Sequence, residues 1–227
     1  MALVQVTDIA RTYQQGSHEV HALRGVDLQI QPGEFVALMG PSGSGKTTLL
    51  NLIGGLDTPS TGKIEIEGTD ISALSGSALS DLRRDRVGFV FQAYNLVPVL
   101  SAAENAEMVL VLRGDDPTER REKAMTTLSE VGLSGKENRR PAELSGGEQQ
   151  RVAVARAITG EPALVLADEP TANLDSTTGT ELIALMRRLN QEKGITFIFA
   201  THDPKVMDAA DRVVKMVDGK IVSDDGQ

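Results

Sequence analysis

The sequence predicts an α/β fold: a mostly parallel sheet flanked by helices, with an antiparallel β part near the N-terminus and an inserted α-helical subdomain. Short apolar runs alternate with amphipathic helical patterns along most of the chain, and this order favours a parallel sheet covered on both faces. Alternating apolar and polar residues near the N-terminus indicate half-buried strands. Residues 93 to about 140 contain no convincing strand, so we expect a helical insertion there.

Apolar patterns and turn residues divide the chain into elements. Strands are predicted at residues 3–9, 26–30, 34–39, 63–67, 87–91, 163–167 and 195–199, with a closing hairpin of residues 213–217 and 221–222. Residues 13–19 are predicted to be a polar loop. Helices are predicted after the glycine-rich residues 40–45, from Pro117 with Asp116 as cap and Gly132 as stop, and from a Ser176 cap to Gly194. We expect one domain, residues 1–227, with an α/β core (1–92 and 150–227) and a helical subdomain (93–149).

Composition restricts the possible functions. The chain of 227 residues is 40% hydrophobic, enough to bury a full core, and it lacks cysteine, which excludes disulfides, thiol nucleophiles and thiol metal sites. A net charge of −9 argues against a broad nucleic-acid-binding face. Residues 1–8 lack the features of a signal peptide, and no run of about 18 apolar residues occurs. We expect a soluble intracellular protein.

Residues 40–47, GPSGSGKT, match the phosphate-loop pattern G-x-x-x-x-G-K-[ST] at every fixed position. An apolar strand precedes the pattern and a helix follows it, which is the context that phosphate binding requires. A chance glycine-rich turn before a lysine would not need this context, so we give that alternative little weight. Lys46 is expected to reach the β- and γ-phosphates and the Thr47 hydroxyl to bind Mg²⁺. The sequence therefore predicts a phosphate-loop NTPase core that binds a nucleoside triphosphate through Gly40, Ser42, Gly43, Ser44, Gly45, Lys46, Thr47 and Thr48.

Two carboxylates, Asp168 and Glu169, follow the apolar strand at residues 163–167. Two solvated acids in a surface loop would be the simpler interpretation in isolation. Beside a phosphate loop, we expect Asp168 to hold Mg²⁺ and Glu169 to act as the general base for the attacking water.

Residues 144–148, LSGGE, allow two interpretations. In the first, Ser145 and Glu148 form a capping box at a helix start. In the second, glycines at a helix N-terminus leave N–H groups free to bind phosphate. The two compete for the Ser145 hydroxyl, and composition does not choose between them.

The chain resembles the nucleotide-binding subunit of an ATP-binding cassette (ABC) transporter, because residues 144–148 match that family's signature motif. Other matches follow in the family's order: Tyr13, the phosphate loop, Gln92, the signature, Asp168 and Glu169, the loop 173–175, and His202. The departures, Ala172 and the pair Gly160 and Glu161, remove no catalytic group, so an active ATPase is expected.

This resemblance implies roles that the residues alone leave open. Tyr13 would stack on adenine, Gln92 would reach Mg²⁺ and the attacking water, and His202 would hydrogen-bond the γ-phosphate. Asp175 would lie at the interface between two copies. The signature residues Ser145, Gly146, Gly147 and Glu148 would close over the ATP held by the partner's phosphate loop. The catalytic set would be Glu169, His202, Gln92 and Lys46, and the Mg²⁺ set Thr47, Gln92 and Asp168.

The resemblance also implies a homodimer around two ATP molecules and a separate integral membrane permease subunit, because this chain has no span and stops after the closing hairpin. That subunit would dock near Gln92 and the helical subdomain. The chain would then be cytoplasmic, peripheral on the inner face of the plasma membrane. Residues 54–57 and 89–98 resemble the bacterial lipoprotein-release and macrolide-export branch, which favours export or extraction.

Two alternative functions share part of this motif set. An ABC-type ATPase acting on DNA shares the motif order but splits the core with long coiled coils, and no heptad array occurs here. A phosphate-loop kinase of small metabolites would not need residues 144–148.

Overall fold

In the computed structural model, which describes residues 1–16 and 18–226, ten strands form two sheets. The strands are β1 (Val4–Gln15), β2 (His18–Ile30), β3 (Phe35–Met39), β4 (Thr61–Ile66), β5 (Thr69–Asp70), β6 (Val87–Phe91), β7 (Leu164–Asp168), β8 (Thr196–Thr201), β9 (Arg212–Val217) and β10 (Lys220–Gly226). The helices are α1 (Lys46–Ile53), α2 (Gly76–Arg86), α3 (Ala102–Arg113), α4 (Pro117–Glu130), α5 (Gly146–Ile158), α6 (Ser176–Lys193) and α7 (Pro204–Ala209), with a 3₁₀ turn at Pro141–Glu143.

The larger sheet has the order β10-β9-β3-β8-β7-β6, in which only the edge strand β10 runs antiparallel to its neighbour. Its central strands are apolar on both faces because each face carries a core. On β3, Phe35 and Ala37 belong to one apolar cluster, and Val36 and Leu38 belong to the other. The predicted mostly parallel sheet is confirmed.

The smaller sheet is antiparallel, with the order β2-β1-β4-β5. Its buried side chains share a cluster with Leu49, Leu52 and Ile53 of α1 and with one face of the parallel sheet. The helix that begins in the phosphate loop is therefore packed into the core that joins the two sheets.

A helical region follows β6, as predicted. Residues 93–140, all of which are described, contain no strand. The carboxylate of Asp116 caps α4 by accepting a hydrogen bond from Thr118 N at 2.8 Å. Helix α5 runs across the predicted subdomain boundary at residues 149 and 150, so that division stays a prediction. Among the described residues, no helix combines the length and apolar character needed to cross a membrane.

The prediction of a loop at residues 13–19 is wrong for most of these residues. Strand β1 continues to Gln15 and β2 begins at His18, so that Tyr13 pairs with Val20 in an antiparallel ladder. Gln14, His18 and Glu19 at this end of the ladder are polar and exposed, so the sequence shows no apolar alternation there. The backbone hydrogen bonds that pair the strands do not depend on side chains. Ser17, which was part of the predicted loop, lies outside the described residues.

The start of α6 also differs from the prediction. The cap is Asp175 and not Ser176, because the Asp175 carboxylate accepts hydrogen bonds from Thr177 N and Thr178 N, both at 3.0 Å. The hydrogen bond from the Thr178 hydroxyl, followed by these backbone bonds, lowers the pKa of Asp175. The predicted stop at Gly194 is confirmed by its left-handed φ of 68°.

Candidate nucleotide-binding site

The phosphate loop connects the end of β3 to the start of α1. Gly45 caps the helix with a left-handed φ of 101°, and a Cβ there would lie 2.6 Å from the backbone oxygen of Ala22. Only glycine fits this close approach between the loop and β2. The turn of the closing hairpin supports the loop from behind, because Gly219 N donates to Ser44 O at 3.1 Å.

The Lys46 side chain lies across the loop and is only 8% exposed. Its ammonium donates to Gly40 O at 2.7 Å and to Pro41 O at 3.1 Å. A cation and the N-terminal N–H groups of a helix thus lie together, which is the arrangement that favours a bound anion.

A cavity of about 810 Å³ opens over the loop. Its volume is within the range of small-molecule sites. It is lined by Tyr13, Val20, His21, Ala22, Gly40, Pro41, Ser42, Gly43, Ser44, Gly45, Lys46, Thr47, Thr48, Gln92, Glu169, Ala172 and His202. The structure therefore brings together Tyr13, the phosphate loop, Gln92, Glu169 and His202, which lie far apart in the sequence.

Five cavity residues lie outside the set predicted from the sequence: Val20, His21, Ala22, Pro41 and Ala172. Three of them belong to β2, whose beginning was predicted to be a loop. Recognition of the hairpin would have found them, because Val20 pairs with Tyr13 and the Thr12 hydroxyl contacts His21 Nδ1 at 2.9 Å.

Asp168 ends β7 directly beside the phosphate loop, where its Oδ1 accepts a hydrogen bond from the Thr47 hydroxyl at 3.0 Å. Burial raises the pKa of the Asp168 carboxyl above its ordinary value, and the neighbouring Glu169 charge acts in the same direction, while the Thr47 hydrogen bond opposes both. Two adjacent oxygen ligands, one of them a carboxylate, form a donor set that suits Mg²⁺.

Glu169 follows with a left-handed φ of 45°, a conformation that a non-glycine residue adopts only when its surroundings hold it. Its N–H donates to Ala200 O at 2.9 Å. The carboxylate then contacts His202 Nδ1 at 2.7 Å and accepts from the Thr201 hydroxyl at 3.3 Å. The acid after β7 and the histidine after β8 thus form one polar pair at the cavity.

Gln92 follows β6, and its exposed side chain lines the same cavity. The backbone oxygen of Gln92 accepts a hydrogen bond from Asn173 Nδ2 at 2.9 Å. This bond connects the segment after β6 to the loop between β7 and α6.

The residues at 144–148 do not line this cavity. Ser145 caps α5 in a capping box, because its hydroxyl accepts from Glu148 N at 3.3 Å and the Glu148 carboxylate accepts from Ser145 N at 2.9 Å. A hydrogen bond from Lys136 to Glu148 contributes most to lowering the pKa of that carboxyl. Ser145 therefore caps α5 in this structure, and its phosphate-binding role stays a prediction.

The fold and the cavity define a phosphate-loop NTPase domain in which a glutamate and a histidine pair line the same cavity as the loop. The sequence profile of the family described as "ABC transporter" matches residues 23–172. The chain belongs to the ABC transporter family.

Two relatives of this chain belong to the macrolide-export and lipoprotein-release branch that the sequence predicts. Over 224 residues the chain is 48% identical to the macrolide export ATP-binding/permease protein MacB of Marinobacter nauticus, a match that covers 99% of this chain and 35% of that protein. Over 222 residues it is 47% identical to the lipoprotein-releasing system ATP-binding protein LolD of Anaeromyxobacter dehalogenans, covering 97% of this chain and 93% of that protein. The chain thus spans about a third of the length of the MacB relative and nearly all of LolD.

A solved structure of an ATP-binding cassette has the same fold as this chain. The chain matches the dimeric, post-hydrolysis structure of the ATP-binding cassette MJ0796 bound to ADP and Pi with a TM-score of 0.91 at 41% identity, covering 98% of each chain. These comparisons confirm the predicted fold class, the family, its macrolide-export and lipoprotein-release branch, and the assignment to ATPases that bind ATP.

Proposed function

We propose that this chain is the ATP-hydrolysing subunit of a bacterial transporter and drives export or extraction through an integral membrane permease. One observation carries the mechanism. The phosphate loop, Gln92, Glu169 and His202 share one open cavity, and the signature residues 144–148 lie outside it. Such a site is complete only when a second copy brings its signature to the phosphates, so a twofold dimer holding two ATP molecules follows.

The contacts support the following roles within one chain. Lys46 and the loop N–H groups bind the β- and γ-phosphates. Glu169 accepts a proton from the attacking water, and His202, 2.7 Å from that carboxylate, orients it and the γ-phosphate. Gln92, which lines the same cavity, reaches the same water.

Mg²⁺ would be held by Asp168, Thr47 and Gln92. Within residues 1–16 and 18–226 no group of three or more histidine or acidic side chains is placed to hold a metal, so this site depends on one carboxylate together with hydroxyl, amide and phosphate oxygens. That donor set is typical of Mg²⁺ in phosphate-loop enzymes. The cation would neutralise charge that develops on the phosphates.

The permease would dock in a groove of about 480 Å³ between the α/β core and the helical region. Apolar side chains dominate the groove: Phe89, Phe91, Met108, Val109 and Leu112. Arg156 also lines it, donates to Tyr94 O at 2.9 Å and has its pKa lowered by burial. An apolar groove with a desolvated guanidinium fits an amphipathic segment that carries an acidic side chain. Docking there would place the chain on the cytoplasmic face of the inner membrane.

We also propose that the chain divides into a core (1–92 and 150–227) and a signature subdomain (93–149). A further part of the proposal concerns the cargo. The MacB relative is named for macrolide export and the LolD relative for lipoprotein release. We infer that the cargo is recognised by the permease, since the nucleotide would fill the cavity of this chain.

The variant Glu169→Gln tests the mechanism. We expect it to bind ATP, to lose at least about 100-fold in turnover because the general base is gone, and to elute as a dimer in ATP with Mg²⁺ during size-exclusion chromatography. The matched control is Glu161→Gln, which alters another glutamate with a left-handed φ, of 54°, outside the cavity. A Glu169→Gln variant that stays monomeric with ATP and Mg²⁺ would contradict the two-copy site.

A further inference from the structure

A single carboxylate, that of Asp57, holds the aromatic ring at the edge of the cavity. It accepts two hydrogen bonds from Arg11, from Nε at 3.0 Å and from Nη2 at 2.7 Å. It also accepts from the Tyr13 hydroxyl at 2.7 Å and from Thr58 N at 2.7 Å. The side chain of Asp57 is only 24% exposed. A bidentate, charge-assisted pair fixes both the position and the plane of its groups, so the Tyr13 hydroxyl has a rigid acceptor.

Arg11 contributes to the same arrangement from behind the ring. Its guanidinium carbon lies 4.5 Å from the centroid of the Tyr13 ring, within the range of a cation–π contact. Tyr13 is among the described residues that line the cavity, and Arg11 is not. The guanidinium therefore backs the ring, and the cavity side of the ring is left for a ligand.

The position of Asp57 is fixed relative to the phosphate loop. It follows α1, the helix whose N-terminus is the phosphate loop. The backbone oxygen of Asn51 in α1 accepts from Leu56 N at 2.8 Å and from Asp57 N at 3.3 Å. The carboxylate is thus connected to the C-terminal end of a helix that binds phosphate at its other end.

Strand β1 is joined to the same segment. Ser60 N donates to Ala10 O at 2.9 Å, and the Ser60 hydroxyl accepts from Thr12 N at 3.1 Å. These hydrogen bonds join the strand that carries Tyr13 to the segment that carries Asp57.

We propose that Asp57 is a positioning residue of the base-binding site. Through the Tyr13 hydroxyl and Arg11 it sets the distance and tilt between the aromatic ring and the phosphate loop, and so selects a triphosphate that carries a stacked planar base. The inference rests on the proposed function, because it assumes that Tyr13 contacts the base of a bound nucleotide. Asp57 itself does not touch the ligand.

The experiment compares a ligand that has a base with one that lacks it. Dissociation constants of Mg-ATP and Mg-tripolyphosphate are measured by calorimetry on the 227-residue chain and on Asp57→Asn and Tyr13→Phe. We expect ATP affinity to fall roughly threefold to tenfold in each variant, the size of one ordinary hydrogen bond, because the lost bond acts on the ligand only through the ring; tripolyphosphate affinity should be unchanged. The double variant should lose less than the product of the two single losses, because both act on one ring.

The matched control is Asp224→Asn, which removes an equivalent bidentate pair with Arg212, at 2.6 Å for both bonds, near the end of the chain. It should change neither affinity. Equal losses for ATP and tripolyphosphate, or unchanged ATP affinity in Tyr13→Phe and Asp57→Asn, would overturn the inference. Failure of the unmodified chain to bind Mg-ATP would instead overturn the proposed function. Tyr13→Phe keeps the test valid even if Asp57→Asn does not fold.

Discussion

The imidazole Nδ1 of His202 lies 2.7 Å from Oε1 of Glu169. The two residues follow neighbouring parallel strands, since Asp168 at the end of β7 pairs with Ala200 of β8. The carboxyl ends of parallel strands meet at one edge of the sheet, so an acid after one strand and a histidine after the next are brought together by strand order. The side chain of His202 is 75% exposed, which leaves it accessible to a ligand in the cavity.

Replacement of His202 by alanine should lower ATP turnover by about 100-fold or more, because Glu169 and the γ-phosphate lose their shared partner. ATP affinity should change little, since the phosphate loop is intact. Steady-state hydrolysis and calorimetric binding measure the two effects separately. The control is His18→Ala, an exposed histidine of β2 outside the cavity. Near-normal turnover in His202→Ala would remove this residue from the catalytic set.

Replacement of Ser145 by aspartate separates its two interpretations. Aspartate is a good N-cap residue, so the free energy of unfolding should stay within about 1 kcal/mol of the unmodified chain. A negative charge at the helix N-terminus would repel a partner's γ-phosphate, so turnover and ATP-dependent dimerisation should be lost while ATP binding by one chain persists. Urea unfolding, hydrolysis and chromatography give the three readouts. Normal turnover would leave Ser145 with the capping role alone.

Replacement of Gly147 by alanine should push the signature away from α6. The new Cβ would lie 2.4 Å from Cγ2 of Thr178, so one of the two must move. We expect a loss of about 1–3 kcal/mol in the free energy of unfolding, typical of overpacking, measured by urea denaturation.

A second substitution should restore the stability that Gly147→Ala loses. Thr178→Ser removes the clashing methyl group and keeps the hydroxyl that donates to Asp175 at 2.5 Å, so adding it to Gly147→Ala should restore most of the loss. Gly76→Ala, at another helix start with nothing within 4 Å of the new Cβ, should cost nothing. Equal losses at Gly147 and Gly76 would show that the contact with Thr178 is unimportant.

Replacement of Leu112 by aspartate should weaken docking of the permease. Leu112 lines the groove and its side chain is 69% exposed, so the change is tolerated by the isolated chain but places a charge on an apolar surface. We expect ATP hydrolysis by the free chain to be unchanged and co-purification with the membrane subunit to fall at least about tenfold, a loss of 1.4 kcal/mol or more.

The control for that surface is Val222→Asp, which charges an apolar residue of similar exposure, 60%, on β10. It should leave co-purification unchanged. If both variants reduce it equally, the groove is not the docking site.

Much of the fold could be predicted because its signals are local. The strand at residues 87–91, the cap at Asp116 and the stop at Gly194 depend on neighbouring residues only. The end of the N-terminal hairpin could not be predicted, because its strands are held by backbone pairing and the exposed polar residues Gln14, His18 and Glu19 interrupt the apolar alternation. The cap at Asp175 was missed because an adjacent serine is also a good cap.

The sequence by itself determined which groups the phosphate loop and the end of β7 present: a glycine-rich turn, a lysine, a hydroxyl and two carboxylates at a strand end. Such motifs are encoded by short spacing, because they depend on the conformation of a few consecutive residues. Tertiary structure decided which distant residues share the cavity. Strand order places Glu169 beside His202, and the packing of α1 against β1 brings Asp57 to the Tyr13 hydroxyl. These relationships are set by long-range packing, which no local pattern specifies.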